Sequence, residues 1–551
     1  MDQTRRIFPP TLAFLLFAPT LLPAQSAYIL EWTVSLPGPG NFEESRTTVA
    51  LVPGGGIVVA GSGIDSTGKE NFVTAGYDTG GVVLWSARYD GPAGAEDLMA
   101  DMKVDQDGNT YVTGSSRSSS NYDIVTISYD ATGEERWISR YDGLSGLADE
   151  ATGLTVDGEG NTIVTGYEKY CCRRQTADED FCAVKYDRYG TQQWVVRYQG
   201  GLGGHDYSRD IAADTAGSIY LTGSQDNLPF APSASYATLK YDGRGQFQWL
   251  TAHTGPGRHN DGGTSIAIGP HGPVVTGYFF TEHTIDIGTI QYDWTGDERW
   301  FATYDARSFD DYPGALAVDD AGNVYVAGYT NTGSSDDFVT IKYDSNGTQL
   351  WSVVFDGRGL TDRATCLALD AAGNVYVSGY SHSGSEEDYL TLKYDPSGVR
   401  KWAARYNGTR YLNDRAESVV VDEWDNVYVT GRSSDGRDIV TAKYVQNITL
   451  SPDAQHRGES GATLTGAYPN PFNPSTVVRY TVPGESRVSL RIYNMLGEEV
   501  RTLVDQVEPA GERAVVWNGS NNHGHIVPSG VYFVSLVTAG SVSTQKLLLV
   551  K

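Results

Sequence analysis

The sequence predicts an all-β molecule: an eight-bladed β-propeller closed by its own N-terminal strand, followed by a small β-sandwich. Three observations carry this. Trp32, Trp85, Trp137, Trp194, Trp249, Trp300, Trp351 and Trp402 recur at intervals of 53, 52, 57, 55, 51, 51 and 51 residues, and a period of about 50 is in the range of a propeller blade. The composition, 64 Gly and 35 Tyr with only 20% charged residues, favours short strands and turns over helices. At 551 residues the chain is too long for one ordinary core, so the repeat has to build an array.

Residues 1–26 read as a signal peptide. Arg5 and Arg6 give a basic start, Thr11 to Pro23 is apolar but too short to cross a bilayer comfortably, and Ala24-Gln25-Ser26 offers small residues for cleavage. No later stretch is apolar enough for a membrane helix, so the expectation is an exported chain with no transmembrane segment. Residues 27–446 hold the repeat. In its cleanest copy, strand A is Ala315 to Val318, strand B Val324 to Gly328, strand C Asp337 to Tyr343 and strand D Leu350 to Phe355. Each alternates with period 2. Asp319 to Asn323 makes the A–B turn and Ser345-Asn346-Gly347 the C–D turn, with Gly or Asn available for positive φ.

The ends of the repeat do not match. Eight A–B–C triplets occur, and the last, ending at Tyr444, has no Trp strand after it; the first Trp strand, Ile29 to Ser35, has no triplet before it. Pairing these two ends makes eight blades and removes two exposed sheet edges. The phrases G-N-V-Y-V-S-G-Y from Gly373 and D-F-V-T-I-K-Y-D from Asp337 resemble the bacterial SBBP β-propeller repeats, from about Tyr28 to Tyr444. That family is described as seven-bladed, whereas eight units are counted here. The phrase D-x-x-G-x-x-x-W, as in Asp130 to Trp137, is similar to the tryptophan-docking motif of quinoprotein propellers. Either likeness implies a Trp wedged between neighbouring blades.

Residues 447–466 are polar and read as a linker. Residues 467–551 then alternate in short strands, which suggests a small sandwich, with the prolines of Tyr468-Pro469-Asn470-Pro471-Phe472-Asn473-Pro474 confining that stretch to an edge. This phrase, L-R-I-Y-N-M-L-G-E-E-V from Leu490, W-N-G at Trp517, S-G-V-Y-F around Gly530 and the tail Q-K-L-L-L-V-K, with Lys546 and Lys551, closely resemble the type A C-terminal sorting domain of the bacterial type IX secretion system. The resemblance implies an immunoglobulin-like sandwich that acts as a secretion address, with the type IX machinery as partner and the outer-membrane surface or the medium as destination. An adhesive module like the similar FlgD-type domain is the other reading of this stretch.

Charge bounds the partners. With 41 Lys plus Arg against 68 Asp plus Glu, the net charge of −27 repels nucleic acid and anionic membranes. Asp97, Asp149, Asp206, Asp261, Asp311, Asp362 and Asp414 recur eight residues before the end of each strand A, with Glu44 near the first copy, and are expected to ring one mouth of the channel. Such a ring either binds a cation such as Ca²⁺ or a polar ligand, or each carboxylate bonds its own D–A loop or a nearby Arg such as Arg363 or Arg415; mutual repulsion favours the second. The two long intervals place insertions at Glu168 to Asp180 and Gln225 to Ser235, on the same face. Tyr170, Arg173, Arg174, His205, Tyr207, Phe230, His259, Phe279 and Phe280 are expected to cluster there as a binding patch, since aromatic and Arg side chains dominate such patches.

Cys182 is expected to bond Cys171 or Cys172, a vicinal Cys171–Cys172 bridge being the alternative, and Cys366 to be a buried free thiol. There is no G-x-S-x-G, H-E-x-x-H or P-loop. The expected function is therefore non-enzymatic binding of an extracellular glycan, protein or surface ligand, with no catalytic residue, metal or cofactor assigned. The alternatives are a quinoprotein-like oxidoreductase using pyrroloquinoline quinone and Ca²⁺, and a glycoside or polyuronate hydrolase, since propellers host such sites.

Overall fold

The computed structural model describes residues 28–38, 46–446 and 463–550, apart from segments at 119–120, 145, 172–176, 201–204, 227–233, 256–260, 282, 307–308, 358, 409–411, 434–437, 471, 485, 495–498, 523 and 539–540. The signal-peptide expectation and Glu44, Cys172, Arg173, Arg174, Phe230, His259, Pro471 and Lys551 lie outside the described residues. The chain divides into residues 25–447 and a C-terminal unit from 448 onward.

The larger unit is a β-propeller-like array of four-stranded antiparallel sheets, one per repeat. Sheets 1 to 7 run in chain order, spanning residues 48–89, 97–141, 149–198, 207–253, 262–304, 311–355 and 362–406. The eighth sheet joins Arg415–Val421, Val427–Ser433 and Asp438–Gln446 to the N-terminal strand Tyr28–Pro37. In it Leu30 lies opposite Tyr444 and Pro37 opposite Asp438, so the two unmatched ends of the repeat pair with each other. The cores lie between successive sheets. Phe72 of sheet 1 packs with Met99, Met102, Val112 and Val125 of sheet 2, and Tyr428 and Ile439 of sheet 8 pack with Val49, Val59 and Tyr77 of sheet 1.

The recurrent Trp locks each sheet to the next. A Cβ added to Gly133 would stand 2.4 Å from the Trp85 ring of the preceding sheet. Only glycine fits there, and its φ of +85° is one that glycine adopts freely. The same Gly–Trp contact joins Gly81 to Trp32, the N-terminal strand's Trp, whose Nε1 donates to Thr79 O at 3.1 Å. Sheet 8 departs from the pattern. Its two outer strands come from opposite ends of the chain, and among the described residues no turn glycine reaches Trp402; instead the Tyr28 ring lies 5.4 Å from it and that of Tyr444 6.4 Å. Turn aspartates work as expected: Asp344 Oδ1 accepts from the N–H groups of Asn346 and Thr348 at 2.8 and 2.9 Å. The Lys of the K-Y-D phrase pairs with a carboxylate in some sheets, as Lys185 does with Asp157 at 2.8 Å, but Lys342 donates to Pro396 O.

Strand A begins earlier than alternation predicts: Asp311–Val318 rather than Ala315 to Val318. The pairing register shifts between Pro313 and Ala315, and an equivalent β-bulge recurs in the first strand of sheets 2 to 8. The extra residue breaks the period-2 pattern, which hides the first half of the strand from a sequence reading.

The C-terminal unit is two sheets, of strand order Thr463–Tyr468, Thr476–Val482, Gly511–Trp517 and Glu499–Glu508, Ser486–Tyr493, Gly530–Thr538, Ser541–Leu549. They enclose Phe472, Tyr480, Leu490, Ile492, Trp517 and Leu547. Its first strand starts inside the stretch expected to be a linker, because Leu464 packs against this core. That strand is an edge, as the prolines require. The segment after it is stapled to the last strand: Phe472 N–H donates to Leu548 O and Val550 N–H to Phe472 O, both at 2.9 Å, and Asn470 bonds both Lys546 O and Leu548 N–H at 2.8 Å.

Candidate functional site

The bulge residues of strand A do more than kink the ladder. A single cavity of about 550 Å³ is lined by Thr48, Asp101, Thr152, Asp210, Ser265, Ala315, Thr365 and Ser418, one from the first strand of each of the eight sheets, together with Arg46, Lys103, Arg209, Glu417 and Arg432. The bulge positions Ala100, Thr152, Arg209, Thr264, Gly314, Thr365 and Glu417 are all among its walls. These stand three residues after the recurrent Asp of seven units and range from Gly and Ala through Thr to Arg and Glu, while the Asp itself is constant.

Carboxylates in this channel tie neighbouring sheets together. Asp101 Oδ2 accepts from Leu154 N–H at 3.0 Å, Asp210 Oδ2 from Ile266 N–H at 2.9 Å, and Glu417 Oε2 from Thr47 N–H at 2.8 Å. Burial raises the carboxyl pKa of Asp210 and Glu417. Glu417 also accepts from Arg432 Nε at 2.6 Å, and Lys103 Nζ lies 2.9 Å from Asp101.

The recurrent aspartates are not an open ring. Asp97, Asp149, Asp206, Asp261, Asp311, Asp362 and Asp414 are all fully buried, at 0% exposure. Each accepts a backbone N–H of its own D–A loop, from Gly91 at 2.7, Gly143 at 2.5, Gly200 at 2.5, Gly255 at 2.6, Ala306 at 3.0, Gly357 at 2.6 and Gly408 at 2.7 Å. Arg363 and Arg415 pair elsewhere, with Asp336 and Glu387. Burial pushes Asp149 up to about 7, with nearby Glu168 and Asp142 adding to the effect, and it pushes Asp206 and Asp311 up to about 6. A buried acceptor of loop N–H groups explains why every unit needs this Asp.

At three sheet junctions this Asp gathers two more. Asp123, Asp142 and Asp149, Asp286, Asp305 and Asp311, and Asp337, Asp356 and Asp362 each bring one oxygen apiece within 4.8 Å of one another. These trios are where a hard divalent cation would find oxygen ligands. In the first, Arg140 already balances Asp123 at 2.6 Å; the matching positions in the other two are Thr303 and Val354.

The expected loop-face patch assembles in part. His205 and Tyr207 stack at 6.1 Å between ring centroids, and both reach Glu179, His205 Nδ1 at 3.0 Å and the Tyr207 hydroxyl as donor. Tyr167 meets Tyr207 edge-on at 5.4 Å and Lys169 lies 3.4 Å from Glu179. The Arg209 guanidinium stands 5.9 Å from the Tyr207 ring and also lines the channel, so this cluster is continuous with it. Phe279 does not belong to the patch: it is buried, stacked on Tyr236 at 5.0 Å and packed on Phe301. Phe280 is half-buried and gives its N–H to Asp261. The insertion of sheet 3 is largely a lengthened hairpin, with Glu168 opposite Asp180 and Tyr170 opposite Asp178.

The expected Cys182 disulfide is not formed. Cys182 and Cys366 are buried free thiols. Cys182 lies opposite Gly166, whereas Cys171 lies opposite Ala177, five rungs along the ladder. At roughly 3.3 Å per residue this separation is far beyond the reach of a disulfide. Hydrophobic alternation puts Cys182 in the core instead, beside Tyr141, Leu154 and Val184.

Comparison with known proteins gives two family matches, each to part of the chain. Residues 193–227 and 306–334 match the SBBP β-propeller repeat, and residues 474–541 match the FlgD Ig-like domain. No curated protein matches. Among solved structures, Sqt1 from Chaetomium thermophilum is similar at 13% identity and a TM-score of 0.41, over 79% of this chain and 98% of that one. An ulvan lyase of a new polysaccharide lyase family is similar at 11% identity and 0.37, over 61% and 90%. PorZ, a surface component of the type IX secretion system of Porphyromonas gingivalis, aligns at 9% identity and 0.21, over 94% and 100%. Among the described residues, no helix is long and apolar enough to cross a membrane.

Proposed function

We propose that this protein is an exported, non-enzymatic binding propeller of eight blades, closed by its N-terminal strand and delivered to the cell surface or the medium by its C-terminal unit. The observation that carries the reading is the cavity walled by the first strand of all eight sheets. Eight strands surround one space when their sheets stand in a ring, and the bonds from Glu417 to Thr47 and from Lys443 to Thr79 support the junction of the eighth sheet with the first. The His205–Tyr207–Glu179 cluster at that cavity supports an extracellular ligand, glycan or protein, held on the loop face. Its residues supply aromatic area and hydrogen bonds of the kind binding sites use.

The secretion role rests on the motifs between Tyr468 and the C-terminal tail, and on the way Asn470 and Phe472 hold the strand that carries Lys546. A glycan array probed with the full chain lacking its leader is the direct test of binding. Selective retention of one glycan class that Tyr207→Ala abolishes supports the loop-face site; uniform absence of signal, on glycans and on surface extracts alike, refutes it. For delivery, deleting residues 468–551 in the producing bacterium should leave the propeller in the periplasm. Surface display at the normal level would refute the sorting role.

A further inference from the structure

We infer that the central channel binds a small polyhydroxylated anion, a sugar acid or a sugar phosphate, through Arg46 and Arg209. The inference rests on the ring reading above and concerns the channel; Arg209 borders the channel on one side and the loop-face cluster on the other. Across the chain, acids outnumber bases 68 to 41, yet the channel reverses this: Arg46, Lys103, Arg209 and Arg432 face Asp101, Asp210 and Glu417. The three carboxylates are already committed to the backbone N–H groups of neighbouring sheets, and two of the cations are committed to those carboxylates. Arg46 and Arg209 are exposed in the lumen and have no carboxylate partner among the described residues.

The fold does not ask for an arginine at 209. At the same bulge position other sheets carry Ala100, Thr152, Thr264, Gly314 and Thr365, so the backbone accepts almost any side chain there. A guanidinium with water access, resting only against the Tyr207 ring, is a bidentate receptor for a carboxylate or phosphate. The rest of the wall supplies the second half of the recognition. Thr152, Thr264 and Thr365 donate to Thr165, Thr276 and Ala416 carbonyls, leaving their oxygen lone pairs to accept from a ligand's hydroxyls. Among the described residues no aromatic ring lines the cavity, which points to recognition by hydrogen bonds rather than by stacking. Its volume of about 550 Å³ lies within the ~300–1,000 Å³ of small-molecule sites.

Isothermal titration of the full chain lacking its leader, at low ionic strength, tests this with four probes: galacturonate, glucose 6-phosphate, and neutral galactose and glucose. The expected result is that at least one anion binds and its neutral counterpart binds about tenfold or more weakly, the loss of one charge-assisted pair. Galacturonate alone identifies a carboxylate ligand, glucose 6-phosphate alone a phosphate. Arg46→Gln and Arg209→Thr should each weaken binding by about tenfold or more. The second variant copies the residue of sheets 3, 5 and 7, so its melting temperature should stay that of the parent. Binding of neither anion, equal binding of the neutral sugars, or unchanged affinity in Arg209→Thr would overturn the inference. Absence of signal on the glycan array and on surface extracts alike, with a positive titration, would remove the loop-face reading and leave this one standing.

Discussion

At the scale of single residues, burial separates side chains that the repeat makes look equivalent. Trp402 is 4% exposed, whereas Trp32 is half-buried at the sheet that joins the chain ends. Trp402→Ala should therefore cost about 3–5 kcal/mol in urea unfolding, and Trp32→Ala about half as much. Gly133→Ala should be destabilising by well over the ~1 kcal/mol of a simple glycine replacement, because the new Cβ meets the Trp85 ring in a left-handed turn. Asp149 makes a pH prediction. Its carboxyl is raised from 3.8 to about 7 in the folded protein, so the stability it contributes is fully present below pH 3.8 and is lost as pH rises through about 7. Asp149→Asn keeps an acceptor for Gly143 N–H without the charge. Its melting temperature, measured against the parent, should rise from pH 4 to pH 8, and a flat difference across that range would contradict the buried-acid account.

At the scale of elements, the strand Tyr28–Pro37 covers the strand Asp438–Gln446, which without it becomes an open edge. Deleting residues 28–37 should abolish the propeller's cooperative calorimetric transition and promote aggregation, leaving any separate transition of the C-terminal unit in place. Phe472→Ala should do the reverse, lowering the C-terminal unit's stability by about 3–5 kcal/mol, since Phe472 is 2% exposed against Trp517. The element order was legible because strands B, C and D recur as near-constant phrases around the periodic Trp, and because an unmatched strand at one end answered an unmatched triplet at the other. Strand A was half-legible, since its bulge breaks the alternation. The channel wall was missed for the same reason: its residues stand three and four places after each recurrent Asp, where variation against a constant frame was the available signal. The recurrent Asp was legible: a ring of unpaired carboxylates would repel itself, so the favoured reading was an acceptor of its own loop N–H groups, and Asp97 and Asp149 accept from Gly91 and Gly143 in that way. Only the Arg partners suggested beside it, Arg363 and Arg415, pair elsewhere. Phe279 misled, because an aromatic beside an insertion reads alike whether it faces solvent or core. The disulfide failed on register, which fixes distance along a hairpin and is invisible in a count of cysteines.

At the scale of the whole molecule, the two units fold around separate cores, and their opposite responses to the strand deletion and to Phe472→Ala would read out that independence. The larger unit has one property that none of its repeats has alone. Seven of its sheets are each assembled from a run of roughly fifty consecutive residues and close by local hairpins, which form quickly. The eighth is not: Leu30 waits for Tyr444, more than four hundred residues later. A chain made or exported from its N-terminus therefore carries its first strand unpaired until almost the last residue of the array has emerged, and the loop-closure entropy of that contact is met only then. Order in time is thus written into the fold. Completion of the eighth sheet is the last event, and a chain interrupted anywhere before residue 438 is left with its first strand unpaired and an open end for proteases to find.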